Sequence, residues 1–216
     1  VYVDGWLSSA YSAMDYIGEF SEPFRWTADD LYHPDMKEYH EGNYSADNQF
    51  SDSNQNESRL WKYYEGIRKA STFVNNVDLC PELTMDEKTD MKGQARFLRA
   101  YCYWALMRVY GPVPLIPLEG LDVNLSYEEL SLPREHFDVL VDFVDKELME
   151  AARSLPTKRT VNNLGRPTRG AALGLRSRVL LFAASPLFNG NTDLFDVKDC
   201  YGNLLIAQEY DESKWA

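Results

Sequence analysis

The residues best suited to chemistry lie between Ser21 and Ser58. This stretch holds Phe24, Trp26, Tyr32, Tyr39, Tyr44 and Phe50 among Asp, Asn, Gln and Ser. Trp26, Tyr39, Tyr44, Asn48 and Phe50 are the candidate ligand contacts. Aromatic faces beside amide and carboxylate groups suit a ligand with an apolar face and a polar rim, as a sugar ring has. The same aromatics equally serve to pin a long loop onto a scaffold, and both readings stay open. Covalent chemistry has no comparable set. There is no Gly-x-Ser-x-Gly, no His-Glu-x-x-His and no phosphate loop. Asp and Glu are plentiful, but acidic helix faces account for them without a placed pair of carboxylates. The expectation is a protein that is not an enzyme.

Metal and cofactor sites are not expected. Asp52-x-Asn54-x-Asn56 resembles the start of a calcium loop, but Glu57 stands where Gly should follow and Tyr63 where the last ligand should be. His33, His40 and His136 are scattered. Cys80, Cys102 and Cys200 form no CxxC pair. Cys102 reads as a buried thiol. A Cys80–Cys200 disulfide is compatible with an oxidising compartment, and spacing does not decide it.

The chain has 216 residues, enough for one substantial core. Its net charge of -12 argues against nucleic acid, whose phosphates require a basic face. It permits a neutral ligand, a cationic ligand or a protein partner, or serves solubility alone. Hydrophobic content of 44% and charged content of 26% are those of a globular protein. No apolar run approaches the ~20 residues that span a bilayer. Val1 reads as the start of a mature sequence, with any targeting segment expected to have been removed.

Helical periodicity supplies the frame for these residues. A first helix is expected over about Val3 to Phe20, with Trp6, Leu7, Ala10, Met14 and Ile17 on one face. A second places Trp61, Tyr64, Ile67, Ala70, Phe73, Val74 and Val77 inward and ends at Leu79-Cys80-Pro81. A third begins at the capping box Thr84-Met-Asp-Glu87 and stops at Gly111-Pro112. Its apolar face is Ala95, Leu98, Tyr101, Cys102, Ala105, Leu106 and Val109, and Phe97, Tyr103 and Trp104 add a second flank. Arg96, Arg99 and Arg108 are expected to lay their stems on apolar surface with the guanidinium at the edge. The second and third helices should form an antiparallel hairpin.

An extended, Pro-punctuated connection follows over 112–134, with a short turn of helix at Ser126-Tyr-Glu-Glu129. A fourth long helix spans Arg134 to Ser154. Its inner face is Phe137, Leu140, Val141, Val144, Leu148, Ala151 and Ala152, and Asp138, Asp142, Asp145, Lys146 and Glu150 face solvent. Gly165-Arg-Pro-Thr168 opens a fifth, with Ala171, Ala172, Leu175, Val179, Leu180 and Ala183 inward. Gly170, Ala172 and Gly174 are expected to permit close helix approach. The tail reads as irregular, with a short strand or hairpin near 201–206. The fold class is all-α: helical hairpins with long decorated loops, akin to helix-pair repeats though without a clean period.

Four stretches in order resemble the SusD/RagB family of outer-membrane nutrient-binding lipoproteins. They are Trp61-x-x-Tyr64-x-x-Ile67-x-x-Ala70, followed by Ser71 where the family usually has Asn; Gly93-Gln-Ala-Arg-Phe-Leu-Arg-Ala-Tyr101 through Tyr110-Gly-Pro-Val-Pro-Leu115; Pro133-Arg134 through Leu155-Pro156; and Gly165-Arg-Pro-Thr168-Arg-Gly-Ala-Ala172 through Leu181. The resemblance implies a tetratricopeptide-like scaffold, with 1–216 the N-terminal part of a larger single domain. It implies a lipid anchor on the outer membrane at the cell surface, a TonB-dependent SusC-like transporter as partner, and capture of a glycan. The alternatives are a peptide ligand in the same family or a helical-repeat interaction scaffold. The family sets ligand aromatics in variable loops, so no motif transfers a site residue. Arg96, Arg99, Tyr101 and Trp104 are expected to pack hairpins and pair with acids rather than touch ligand.

Overall fold

The computed structural model describes residues 2–14, 34, 40–41, 53–122 and 124–215, with the backbone alone over 53–59. Among them are six α-helices and no strand: α1 Tyr2–Tyr11, α2 Ser53–Asn76, α3 Met85–Tyr110, α4 Tyr127–Leu130, α5 Phe137–Ser154 and α6 Arg169–Ala184. The long helices pack in chain order, α2 on α3, α3 on α5 and α5 on α6, while α1 lies against α2 and α3. This is the all-α, tetratricopeptide-like succession expected. No described helix is long and apolar enough to cross a membrane.

Local chemistry sets the bounds of α3. Thr84 Oγ1 accepts from Glu87 N, and the Glu87 carboxylate accepts from Thr84 N at 2.8 Å, so the capping box satisfies two N-terminal donors. At the other end Gly111 takes φ 64, a conformation open to glycine, and Pro112 bars further helix. Thirteen of the twenty-six residues of α3 are buried, so it is the central helix, covered from both sides by α2 and α5. The same capping chemistry recurs at Ser126 and Glu129 on α4. Thr168 caps α6, and His136 Nδ1 accepts from Asp138 N at the start of α5.

Two apolar clusters hold the layers together. The larger joins α2, α3, α5 and α6 through Ile67, Tyr103, Trp104, Leu140, Val144, Leu148 and Val179. Phe137 stacks on Phe188 at 3.7 Å, and Trp104 meets Phe182 edge-on at 5.1 Å. The smaller joins Leu7 and Ala10 of α1 to Ala70, Phe73 and Val77 and to Ala95 and Leu98. Polar clasps tie the ends. Arg159 grips Asp90 with two nitrogens at 2.7 and 2.8 Å and donates to Pro167 O. Arg166 bridges Gln94 and Asp4.

The structure corrects several expectations. Trp61 is 73% exposed, and Tyr63 takes the buried position instead. Val109 and Ala171 are exposed. Gly174 has no neighbour within 4 Å of a hypothetical Cβ and Gly170 only the Thr168 hydroxyl, so neither serves close packing. Gly66 and Gly93 do: a Cβ would lie 2.5 Å from Ala13 Cβ at the first and 2.8 Å from Ser154 Cβ at the second. The first helix ends at Tyr11, followed by a turn, and residues 15–20 lie outside the described set. α5 starts at Phe137 rather than Arg134, because His136 is its cap. All three cysteines are free. Cys102 is fully buried, and burial pushes its thiol up to about 12. In the tail, Gly202 at φ 87 lets Lys198 and Leu204 form an isolated antiparallel bridge, a turn centred a few residues before the expected 201–206 and without a strand among the described residues.

Candidate functional site

Trp26, Tyr39, Tyr44, Asn48 and Phe50 all lie outside the described residues, as does Asp52 of the calcium-like stretch. Among the described residues, no three His, Cys, Asp or Glu side chains gather as a metal would require. The described surface offers a different feature, a groove of about 580 Å³ between α2 and the chain leaving α3.

One wall is a stripe of α2. Trp61, Tyr64, Arg68, Ser71 and Asn75 recur at three- and four-residue steps, which places them on one face. The opposite wall is the segment 116–121, from Ile116 to Leu121, with Leu130 of α4. Pro112, Pro114 and Pro117 hold that segment away from helical backbone. Gly120 at φ 83 closes a tight turn, with Gly120 N donating to Pro117 O at 3.1 Å.

Side chains fasten the two walls together. Tyr64 Oη donates to Pro114 O at 2.9 Å, and Asn75 Nδ2 donates to Leu118 O at 2.8 Å. Burial pushes the Tyr64 hydroxyl well above its ordinary range, so it stays protonated and remains a donor. Beneath the wall, α3 holds both polar groups of Ile116. Its N–H donates to Tyr103 Oη at 2.8 Å, and its carbonyl accepts from Arg99 Nη2 at 2.8 Å. The Tyr103 hydroxyl is likewise pushed up, to about 12, by burial.

Arg99 is itself held from α5. It is 2% exposed, far more deeply set than a guanidinium at the helix edge. It lies over the Phe143 ring at 4.6 Å, with Nη1 3.6 Å from Glu147 Oε2. Glu147 also accepts from Arg96 Nη1 at 2.6 Å. Burial raises the Glu147 carboxyl above its usual range, and the two arginines oppose that shift. The expectation that Arg96 and Arg99 pair with an acid thus holds. The acid was missed, although a glutamate three residues after Val144 and one before Leu148 falls inside the apolar stripe of α5.

An indole face, a guanidinium from Arg68 and a carboxylate from Glu119 line the trough, together with the polar Tyr64, Ser71, Thr72 and Asn75 and the apolar Ile67, Ile116, Leu118 and Leu121. Reading Trp61 as core concealed this stripe. The signal was the second α2 face, running Trp61–Tyr64–Arg68–Asn75 beside the buried Tyr63–Ile67–Ala70–Phe73–Val74 face.

A sequence model of the SusD-like family, described as starch-binding and associating with the outer membrane, matches residues 10–181. A SusD-like protein of Bacteroides ovatus is 29% identical over 159 residues, which is 72% of this chain and 27% of that protein. The solved structure of BT4246 superposes with a TM-score of 0.70 at 27% identity, covering 99% of this chain and 37% of its own. A SusD-like carbohydrate-binding protein from Bacteroides fragilis, also 27% identical, superposes with a TM-score of 0.51 over 66% of this chain and 26% of its own. The chain spans about a quarter of the length of the curated relatives it matches.

Proposed function

The chain belongs to the SusD-like family, and from that premise we propose that the whole protein is a cell-surface glycan-binding lipoprotein which passes its ligand to a TonB-dependent, SusC-like transporter in the outer membrane. Carbohydrate binding and outer-membrane association are the family's description. The single observation that carries the reading is the match over 10–181, which takes in all of α3 and its Gly-Pro-Val-Pro exit. The likeness to a carbohydrate-binding protein of Bacteroides fragilis supports the ligand class.

In this reading residues 1–216 are the N-terminal part of a larger single domain, anchored to the membrane by lipid. Trp26, Tyr39, Tyr44, Asn48 and Phe50 supply aromatic faces and an amide to the sugar. The protein binds without turnover. Titration calorimetry of the full chain against a glycan panel and a set of basic peptides tests it. Saturable glycan binding with no new reducing ends supports the proposal. Peptide binding alone, weakened by salt as a net charge of -12 would demand, would turn it to the peptide alternative.

A further inference from the structure

We propose that the α2 groove is a second sugar site, one that takes a neutral pyranose unit and uses none of the loop residues above. The inference rests on the reading of the protein as a glycan binder and adds a place and a ligand class to it.

Two observations converge on the groove. Trp61 is 73% exposed, while Tyr63 and Phe73 of the same helix are fully buried. Its ring has no aromatic or cationic partner among the described residues. An indole left bare in a concave wall is a platform for the C–H face of a pyranose. Arg68 and Glu119 form the second observation. Both line the groove, and neither makes a side-chain hydrogen bond or ion pair among the described residues.

The charges select the class. Arg68 offers only donors and Glu119 only acceptors, and their charges cancel. A polyol uses both, since each hydroxyl donates and accepts. A uronate would gain Arg68 but face Glu119 and the chain's net charge of -12. A basic peptide would face Arg68. The volume of about 580 Å³ falls within the ~300–1,000 Å³ of ligand pockets. The bonds that Tyr64, Asn75, Tyr103 and Arg99 make to the far wall hold it in place before ligand arrives.

The test is calorimetry on the full chain with neutral linear gluco-oligosaccharides and an oligouronate, comparing wild type with Trp61→Ala, Arg68→Ala and Glu119→Gln. All three positions are exposed, so thermal unfolding should be unchanged and the variants folded. Trp61→Ala and Arg68→Ala should each lose on the order of tenfold in affinity for one neutral-sugar binding event, or abolish that event, about 1.4 kcal/mol at tenfold. Trp26→Ala should leave this event intact. If a neutral glycan binds wild type and all three groove variants alike, the groove proposal is overturned while glycan binding stands. If the oligouronate binds and only that binding needs Arg68, the neutral class is overturned. If no glycan binds wild type at all, both readings fail together.

Discussion

Replacing Glu147 with leucine should be among the most damaging single changes in the described core. Glu147 accepts from Arg96 at 2.6 Å and faces Arg99 Nη1 at 3.6 Å. Removing it strands the Arg99 charge at 2% exposure. Breaking one partner of a buried pair costs about 3–5 kcal/mol. Arg99 keeps its bond to Ile116 O and its place over Phe143, and Arg96, a quarter exposed, can turn to water. Those contacts favour the lower end, ~3 kcal/mol. With a urea slope of roughly 2–3 kcal/mol/M, the midpoint should fall by about 1–1.5 M. The decisive comparison is a double-mutant cycle with Arg99→Met. The single Arg99→Met change leaves the Ile116 carbonyl without a donor and Glu147 short of one cation. The double variant replaces the charge pair with apolar volume and should recover all but ~1 kcal/mol. Equilibrium urea unfolding of the four proteins measures the cycle. A Glu147→Leu cost below ~1 kcal/mol, or costs that simply add in the double variant, would refute the view of a coupled buried pair bracing the groove wall.

Gly93→Ala places a Cβ 2.8 Å from Ser154 Cβ; overpacking of about 1–3 kcal/mol should outweigh the gain in helix propensity, seen as a lower melting temperature. Gly174→Ala, with nothing within 4 Å, should instead stabilise by about 0.5–1 kcal/mol, and the opposite ordering of the two variants would contradict the packing of α3 on α5. Thiol labelling of the native protein should modify exposed Cys200 quickly and spare Cys102, whose thiol burial raises to about 12, until the chain unfolds; early Cys102 reaction would disprove its burial. Glu87 has a carboxyl held below its ordinary value by the Thr84 N–H and hydroxyl. A depressed folded pKa gives stability that is present above the ordinary value of 4.5 and lost as pH falls through the lower one. Glu87→Gln should therefore flatten the acid limb of the stability curve, and an unchanged limb would rule out the capping carboxylate as a contributor.

Features governed by chemistry within a few residues were legible in the sequence. Thr84 and Glu87 announce the start of α3, Gly111-Pro112 its end, and Ser126 and Glu129 the short α4. The α5 stripe from Phe137 to Ala152 follows directly from its period, and every residue of it is buried. Features that depend on distant partners were not. Trp61 fits a core pattern as well as an exposed one, and what decides between them is Tyr63 filling the interior. Gly66 and Gly93 are close-approach sites only because Ala13, Cys102 and Ser154 face them, and small residues in α6 gave no hint of that. The groove joins Trp61 and Arg68 to Glu119 and Leu121 across some fifty positions, with no shared motif. Its wall is set by Arg99 and Glu147, whose pairing becomes visible only when α3 and α5 are side by side.

The most direct measurement of the central claim is calorimetric titration of the full-length protein with neutral oligosaccharides, repeated with Trp61→Ala. Saturable binding without hydrolysis, weakened on the order of tenfold at one site by the substitution, is the predicted result. Absence of any glycan binding, alongside tight binding of a peptide, would contradict it.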